Sequence, residues 1–227
     1  MRIQLSFSCT HKDIKHMPHP VTSSDEMQKR IVRFAELRDR GTPLMFIDSI
    51  LPRHYRMNFA VVGDTASENP DFRPYLTQPH KFQIGMVNAP PNCGPAYHTH
   101  DYIELFVVLT GRWRYYWGNS PEGVPDGEAF LDMWDMISLP PGLWRGFENV
   151  SAEPAWLLAV LEPHEVFAGK DPYWAPQVTR QAAQYGFQAD EFGKMIKPAN
   201  YETLRQQVAA ELLPGVHAPI TFSTPVR

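Results

Sequence analysis

A chain of 227 residues is most simply one domain with extensions, since domains average about 150 residues, and it can bury a sizeable core. With 43% hydrophobic and 20% charged residues, its composition is that of a globular protein and excludes a disordered one. A net charge of -4 supplies no field for a phosphate backbone, and two cysteines make at most one bridge, so nucleic acid partners and a disulfide framework are both excluded as expectations.

No apolar run approaches the roughly 18 residues of a spanning helix; the longest is Ala155–Leu161. The opening Met1–Phe7 lacks a signal-peptide apolar stretch, so a cytoplasmic protein without membrane association is expected. Residues 1 to 22 show no periodicity, and His11, His16 and His19 read as part of a loose arm more readily than as a metal tract. Ser23 followed by Glu26 fits a capping box, and Met27, Ile31, Phe34 and Leu37 recur at helical spacing until Gly41 and Pro43, which predicts one amphipathic helix over about 24 to 40. Leu44–Leu51, Met57–Val62 and Phe82–Val87 carry strand composition.

Strand signals then become dense: Tyr102–Thr110, Trp113–Trp117, Ala129–Leu139, Trp144–Glu148 and Ala155–Leu161. Gly111, Asn119–Gly123 with Pro125–Gly127, and Pro140–Gly142 separate them as turns. Short strands without intervening helices predict a mainly β antiparallel sandwich or barrel. After Pro163, Val178–Tyr185 and Tyr201–Leu213 read as helices, the second ended by Pro214 and Gly215.

The chemistry concentrates in the segment from Gly94 to Gly111. If His98, His100 and Glu104 lie along one strand, their shared parity sends all three side chains to one face. Two imidazoles and a carboxylate suit iron, manganese, zinc, nickel or copper and leave coordination positions open.

At these residues the chain resembles the cupin superfamily. His98, His100, Glu104 and Gly111 match the spacing of the first cupin motif, with Gly94 two residues closer than usual. Pro140-Pro141-Gly142, position 145 and Asn149 match the second, with Asp135 beside the expected leading Gly. The resemblance implies a single cupin-like antiparallel β-barrel, a jelly roll, over 80–162. It would be flanked by an N-terminal arm, helix and strands over 1–79 and a C-terminal helical extension over 163–227.

It also implies a divalent transition metal on His98, His100 and Glu104 with a third histidine as fourth ligand, but Arg145 stands where that histidine is usual. Arg stays protonated and does not ligate a metal. A guanidinium about 5 Å from a divalent ion repels it by about 7 kcal/mol at an effective dielectric of about 20. Two arrangements follow. A metal is bound by His98, His100 and Glu104 while Arg145 meets an anionic substrate, or the metal is absent and Arg145 pairs with Glu104.

The implied functions divide accordingly. One is a metal-dependent oxygenase, a dioxygenase acting on a small aromatic or enolisable acid, with Arg145 and Glu104 catalytic. Another is a metal-free small-molecule binding or sensor module, and a third is a metal-dependent isomerase or lyase. A small-molecule substrate and a homodimer are the expected partners. Each remaining candidate has a structural reading that outweighs its functional one: His164 and His80 as surface histidines, Trp113, Tyr115 and Trp117 as core, Tyr97 and Tyr102 as strand packing, Cys93 as an inert thiol. No nucleotide-binding glycine motif, G-x-S-x-G or C-x-x-C is present.

Overall fold

The computed structural model describes residues 22–63, 67–122, 125–162, 172–190 and 194–212; the arm histidines, His164 and the end of the last predicted helix lie outside them. The chain divides into a short N-terminal unit, Met1–Ile31, and a main body from Val32 onward. In the first, α1 (Ser24–Gln28) carries the predicted capping box: the Ser23 hydroxyl accepts from the Glu26 N–H and the Glu26 carboxylate accepts from the Ser23 N–H.

The main body holds two five-stranded antiparallel sheets. The first, in the order β1-β2-β9-β4-β7, is built from Met57–Val62, Gln83–Ala89, Ala155–Leu161, Glu104–Val108 and Met136–Leu139. The second, β10-β3-β8-β5-β6, is built from Tyr173–Trp174, His98–Thr99, Trp144–Asn149, Trp113–Gly118 and Gly127–Leu131. From β3 to β9 the chain changes sheet at nearly every connection, which is the path of a jelly roll. Inward residues of both sheets, among them Phe106, Val108, Trp113, Tyr115, Phe147 and Leu157, form the core between them. The aromatic stripe on β5 is therefore core at Trp113 and Tyr115, both fully buried, with Trp117 packed at its edge.

Turn chemistry places the crossings. Gly111, at φ +74°, turns the chain from β4 to β5. Ala129–Leu139, predicted as one run, is two strands in different sheets: Asp135 accepts from the Asp132 N–H while Trp134 takes φ +75°, so the backbone folds at 132–135 and delivers β7 to the first sheet. Asn149 fastens the far end, donating from Nδ2 to the Ala89 and Glu153 carbonyls and accepting from the Ser151 N–H.

Two sequence expectations are corrected. The helix over 24 to 40 is α1 and a separate single turn, α2 (Phe34–Leu37), followed by a 3₁₀ turn at Arg38–Arg40. The β-branched pair Ile31-Val32 interrupts it, and Arg33 is extended at φ -99°, ψ 125°. Leu44–Leu51 is not a strand. Its centre is a 3₁₀ turn, Phe46–Ser49, because buried Asp48 accepts from the Met45 N–H at 3.0 Å and pairs with Arg56 at 2.7 Å.

Helices α3 (Pro176–Ala183) and α4 (Tyr201–Leu212) form where helical composition predicts them. Val178, Ala182 and Tyr201 pack with Met45, Ile47 and Ile50 in a second core. The short ribbon β11 (Gln188–Ala189) with β12 (Met195–Ile196) joins the two helices. Among the described residues no helix is long and apolar enough to cross a membrane.

Two stability predictions follow from this packing. Leu37, 2% exposed, is the anchor of α2 against Phe59 and Trp156, whereas Phe34 is 40% exposed and meets the Trp156 ring edge-on at 5.2 Å. Leu37→Ala should cost about 2–5 kcal/mol in urea unfolding and Phe34→Ala about 1 kcal/mol.

Glu68 accepts from the Phe46 and Met195 N–H groups, and burial pushes its pKa up to about 7. A carboxyl whose folded pKa lies above its unfolded value contributes stability below pH 4.5, lost as pH rises towards 7. The unfolding midpoint of Glu68→Gln should accordingly fall less between pH 4.5 and pH 8 than that of the parent.

Candidate functional site

The site residues do not share a strand. β3 ends at Thr99 in the second sheet, β4 begins at Glu104 in the first, and residues 100–103 carry the chain between them. The parity argument along one strand is therefore replaced by a different geometry. His98 and Glu104 line the same pocket because each faces the interior from opposite sheets, and His100 hangs from the crossing. The Gly142 N–H donates to the His100 carbonyl at 2.9 Å, so the Pro140-Pro141-Gly142 corner, with Gly142 at φ +76°, helps hold that crossing.

Arg145 lies on β8 directly opposite His98 in register and is 1% exposed. Its Nη2 donates to Glu104 Oε2 at 3.2 Å, an ion pair that spans the two sheets, and its Nη1 donates to the Leu143 carbonyl at 3.4 Å. The same Glu104 oxygen lies 3.1 Å from His100 Nε2. The His100 ring stacks on Tyr102 at 3.5 Å, with planes 5° apart. The His98 ring lies 5.9 Å from that of His100 and 5.7 Å from the indole of Trp174, a neighbour supplied by β10.

Hydrogen bonding fixes the imidazole tautomers. His98 Nδ1 faces the Ala96 carbonyl at 2.7 Å and His100 Nδ1 faces the Tyr102 carbonyl at 3.0 Å. A carbonyl only accepts, so each Nδ1 carries its proton. Burial, and then the Arg145 charge, hold both histidines well below the usual imidazole range, so both are neutral with Nε2 as acceptor. Burial raises the Glu104 pKa against the opposing pull of Arg145.

His98, His100, Tyr102 and Glu104 line a small pocket of about 90 Å³ that opens to solvent. Its walls include Met45, Val87, Phe106, Leu161 and Trp174, with polar Arg56, Asn58 and Gln83. Arg56, Asn58 and Gln83 are missing from the sequence-level candidates. A polar residue at the inward register of a strand is the signal that would have found them, but it appears only once the face is known.

Of the remaining candidates, Tyr102 lines the pocket, while Tyr97 stacks on Tyr116 outside its lining. His80 is bonded to the Gln78 carbonyl and Cys93 is buried, its thiol pushed up to about 11; neither lines the pocket.

The metal implied by the resemblance can be tested against this geometry. The Nε2 lone pairs of His98 and His100 suit it, but Glu104 Oε2 is engaged by Arg145 and His100. Among the described residues no three His, Cys, Asp or Glu side chains are gathered as a metal-holding group. In this arrangement the residues do not fit a resident metal.

No family model matches the chain, and no curated protein matches it. Among solved structures it is similar to a chain from the crystal structures of the DMSP lyases RdDddP and RnDddQII, at 18% identity over 52% of this chain and 52% of that one, TM-score 0.39. It thus spans about half the length of that lyase chain, 52%. It is also similar to a cupin 2 domain-containing protein from Halorhodospira halophila, at 15% identity, 58% and 79% coverage, TM-score 0.41. A third is an uncharacterized conserved protein with a double-stranded β-helix domain from Klebsiella pneumoniae, at 18% identity, 53% and 89% coverage, TM-score 0.38. The strand order and register of the chain itself define its class by fold: an antiparallel double-sheet jelly roll in which Glu104 from one sheet and Arg145 from the other meet between them.

If the inter-sheet pair is the organising contact, removing one partner should cost far more than removing both. Arg145→Met should destabilise by about 3–5 kcal/mol, and the double variant Arg145→Met with Glu104→Gln by clearly less than the sum of the two single changes. A double-mutant cycle in urea checks this, and strict additivity would remove the pair from the account.

Proposed function

We propose that this cupin-type protein binds a small molecule in the pocket between its sheets without a resident metal. The observation that carries the reading is the engagement of Glu104: Arg145 Nη2 stands 3.2 Å from the oxygen that a first-motif ligand would offer to an ion. The positive charge needed beside that carboxyl is supplied by the guanidinium. A binding or sensor role follows for the pocket, with His98, His100 and Tyr102 as its polar floor and Met45, Val87 and Phe106 as apolar wall.

One observation favours a second reading, the metal-dependent dioxygenase acting on a small aromatic or enolisable acid. Both imidazoles keep Nε2 unprotonated, as a metal ligand requires. That reading needs Arg145 and Glu104 to separate, after which Arg145 would face a substrate carboxylate. A metal-dependent isomerase or lyase makes the same demand, and dioxygen consumption would tell the two apart.

Elemental analysis of protein purified without chelator or an affinity-tag metal should find well below one equivalent of transition metal per chain. Arg145→His, which supplies a third imidazole as the fourth ligand and frees Glu104, should acquire cobalt or zinc binding absent from the parent in equilibrium dialysis. Close to one equivalent in the parent would transfer the weight to the oxygenase.

A further inference from the structure

Among the described residues, three that line the pocket carry buried polar atoms without a hydrogen-bond partner. Gln83 is 1% exposed and lines it, and neither its Oε1 nor its Nε2 has a hydrogen-bond partner. Asn58, 4% exposed, leaves Nδ2 unpartnered on the same wall, and Trp174, 7% exposed, does so with Nε1. Two buried amides away from the pocket are bonded: Asn88 Nδ2 donates to the Ala155 carbonyl, and Asn149 uses both ends of its amide. Buried polar groups are nearly always paired, so a set left open on one cavity wall is fitted to something that enters the cavity.

The charges of the pocket, by contrast, are already matched. Arg145 pairs with Glu104, and Arg56 pairs with Asp48 at 2.7 Å, so each guanidinium near the cavity has its own carboxyl. An anionic ligand gains little there.

We infer that the pocket takes a neutral, flat ligand whose edge carries a hydrogen-bond donor and an acceptor side by side, a cis-amide or lactam, and that Gln83 reads this edge. A carboxamide presents its oxygen and its N–H coplanar and adjacent, which complements a lactam in two parallel hydrogen bonds. A carboxylate would set oxygen against oxygen on one side. In register, Gln83 stands opposite Leu161 on β9, and Leu161 stands opposite Glu104 on β4. Two strand spacings, roughly 10 Å, thus separate the amide from the Arg145–Glu104 pair, and the floor between them is the Leu161 side chain. A single ring fills that interval with its face on apolar side chains and its edge on Gln83.

The inference rests on the reading of the pocket as a small-molecule site, and titration calorimetry with three probes tests it: 2-pyridone, 1-methyl-2-pyridone and benzoate. The parent should bind 2-pyridone, and both N-methylation, which removes the donor, and the charge of benzoate should weaken binding by at least about tenfold. In Gln83→Leu the affinities for 2-pyridone and its methyl derivative should become equal. Gln83→Met serves the same purpose should the leucine variant misfold, thermal melting reporting which has folded.

Benzoate binding as tightly as 2-pyridone, undiminished 2-pyridone binding in the folded Gln83 variant, or no binding of 2-pyridone at millimolar concentration would each overturn the assignment. None of these outcomes depends on metal content. Failure of the underlying reading therefore appears separately, as near-stoichiometric metal in the parent.

Discussion

A guanidinium sealed between two sheets has to meet an anion, and at Arg145 that requirement organises the molecule's interior. Isolated, the charge would cost several kcal/mol to bury. Paired with Glu104 at 3.2 Å it becomes a strut from β8 in one sheet to β4 in the other. His100 completes the arrangement from the crossing segment, its Nδ1 tied to the Tyr102 carbonyl and its ring stacked on Tyr102. The Gly142 N–H on the His100 carbonyl extends the same set of contacts to the corner that begins β8. One buried pair thus fixes the relative positions of both motif segments.

A second buried pair, Asp48 with Arg56, does comparable work at the pocket's other side. Asp48 shapes the 3₁₀ turn through the Met45 N–H, and Arg56 contributes to the lining just before β1. Both cations are neutralised from within the protein. Recognition is then left to neutral dipoles, and the open ones are amides and an indole. A pocket built this way selects by hydrogen-bond pattern, because its long-range field is small.

The jelly roll also draws on chain far from its motifs. β1 adds to β2, and β10 brings Trp174 alongside His98. Glu68 accepts backbone N–H groups from Phe46 and Met195 and so links two segments distant in sequence beside the second core. The flanking segments therefore supply pocket wall as well as cover: Met45, Asn58 and Trp174 all lie outside 80–162.

The β class, the strand runs from β4 to β9, the two terminal helices and the capping box at Ser23 were legible because each depends on local chemistry: strand composition, turn glycines and prolines, side-chain capping. Motif spacing also brought His98, His100, Glu104 and Arg145 forward, and they do gather at one place. Tertiary structure decided the rest. It divided the histidine segment between two sheets, broke Ala129–Leu139 at Trp134, and gave the Leu44–Leu51 run to a 3₁₀ turn. The last two rest on short-range side-chain contacts that composition does not reveal, Asp135 with the Asp132 N–H and Asp48 with the Met45 N–H and Arg56; the first depends on a partner far along the chain, Arg145 for Glu104, that no local window contains. Gln83 and Asn58 were hidden for the same reason. A polar residue in a strand is unremarkable until the pairing of β1, β2 and β9 shows that its side chain faces the cavity.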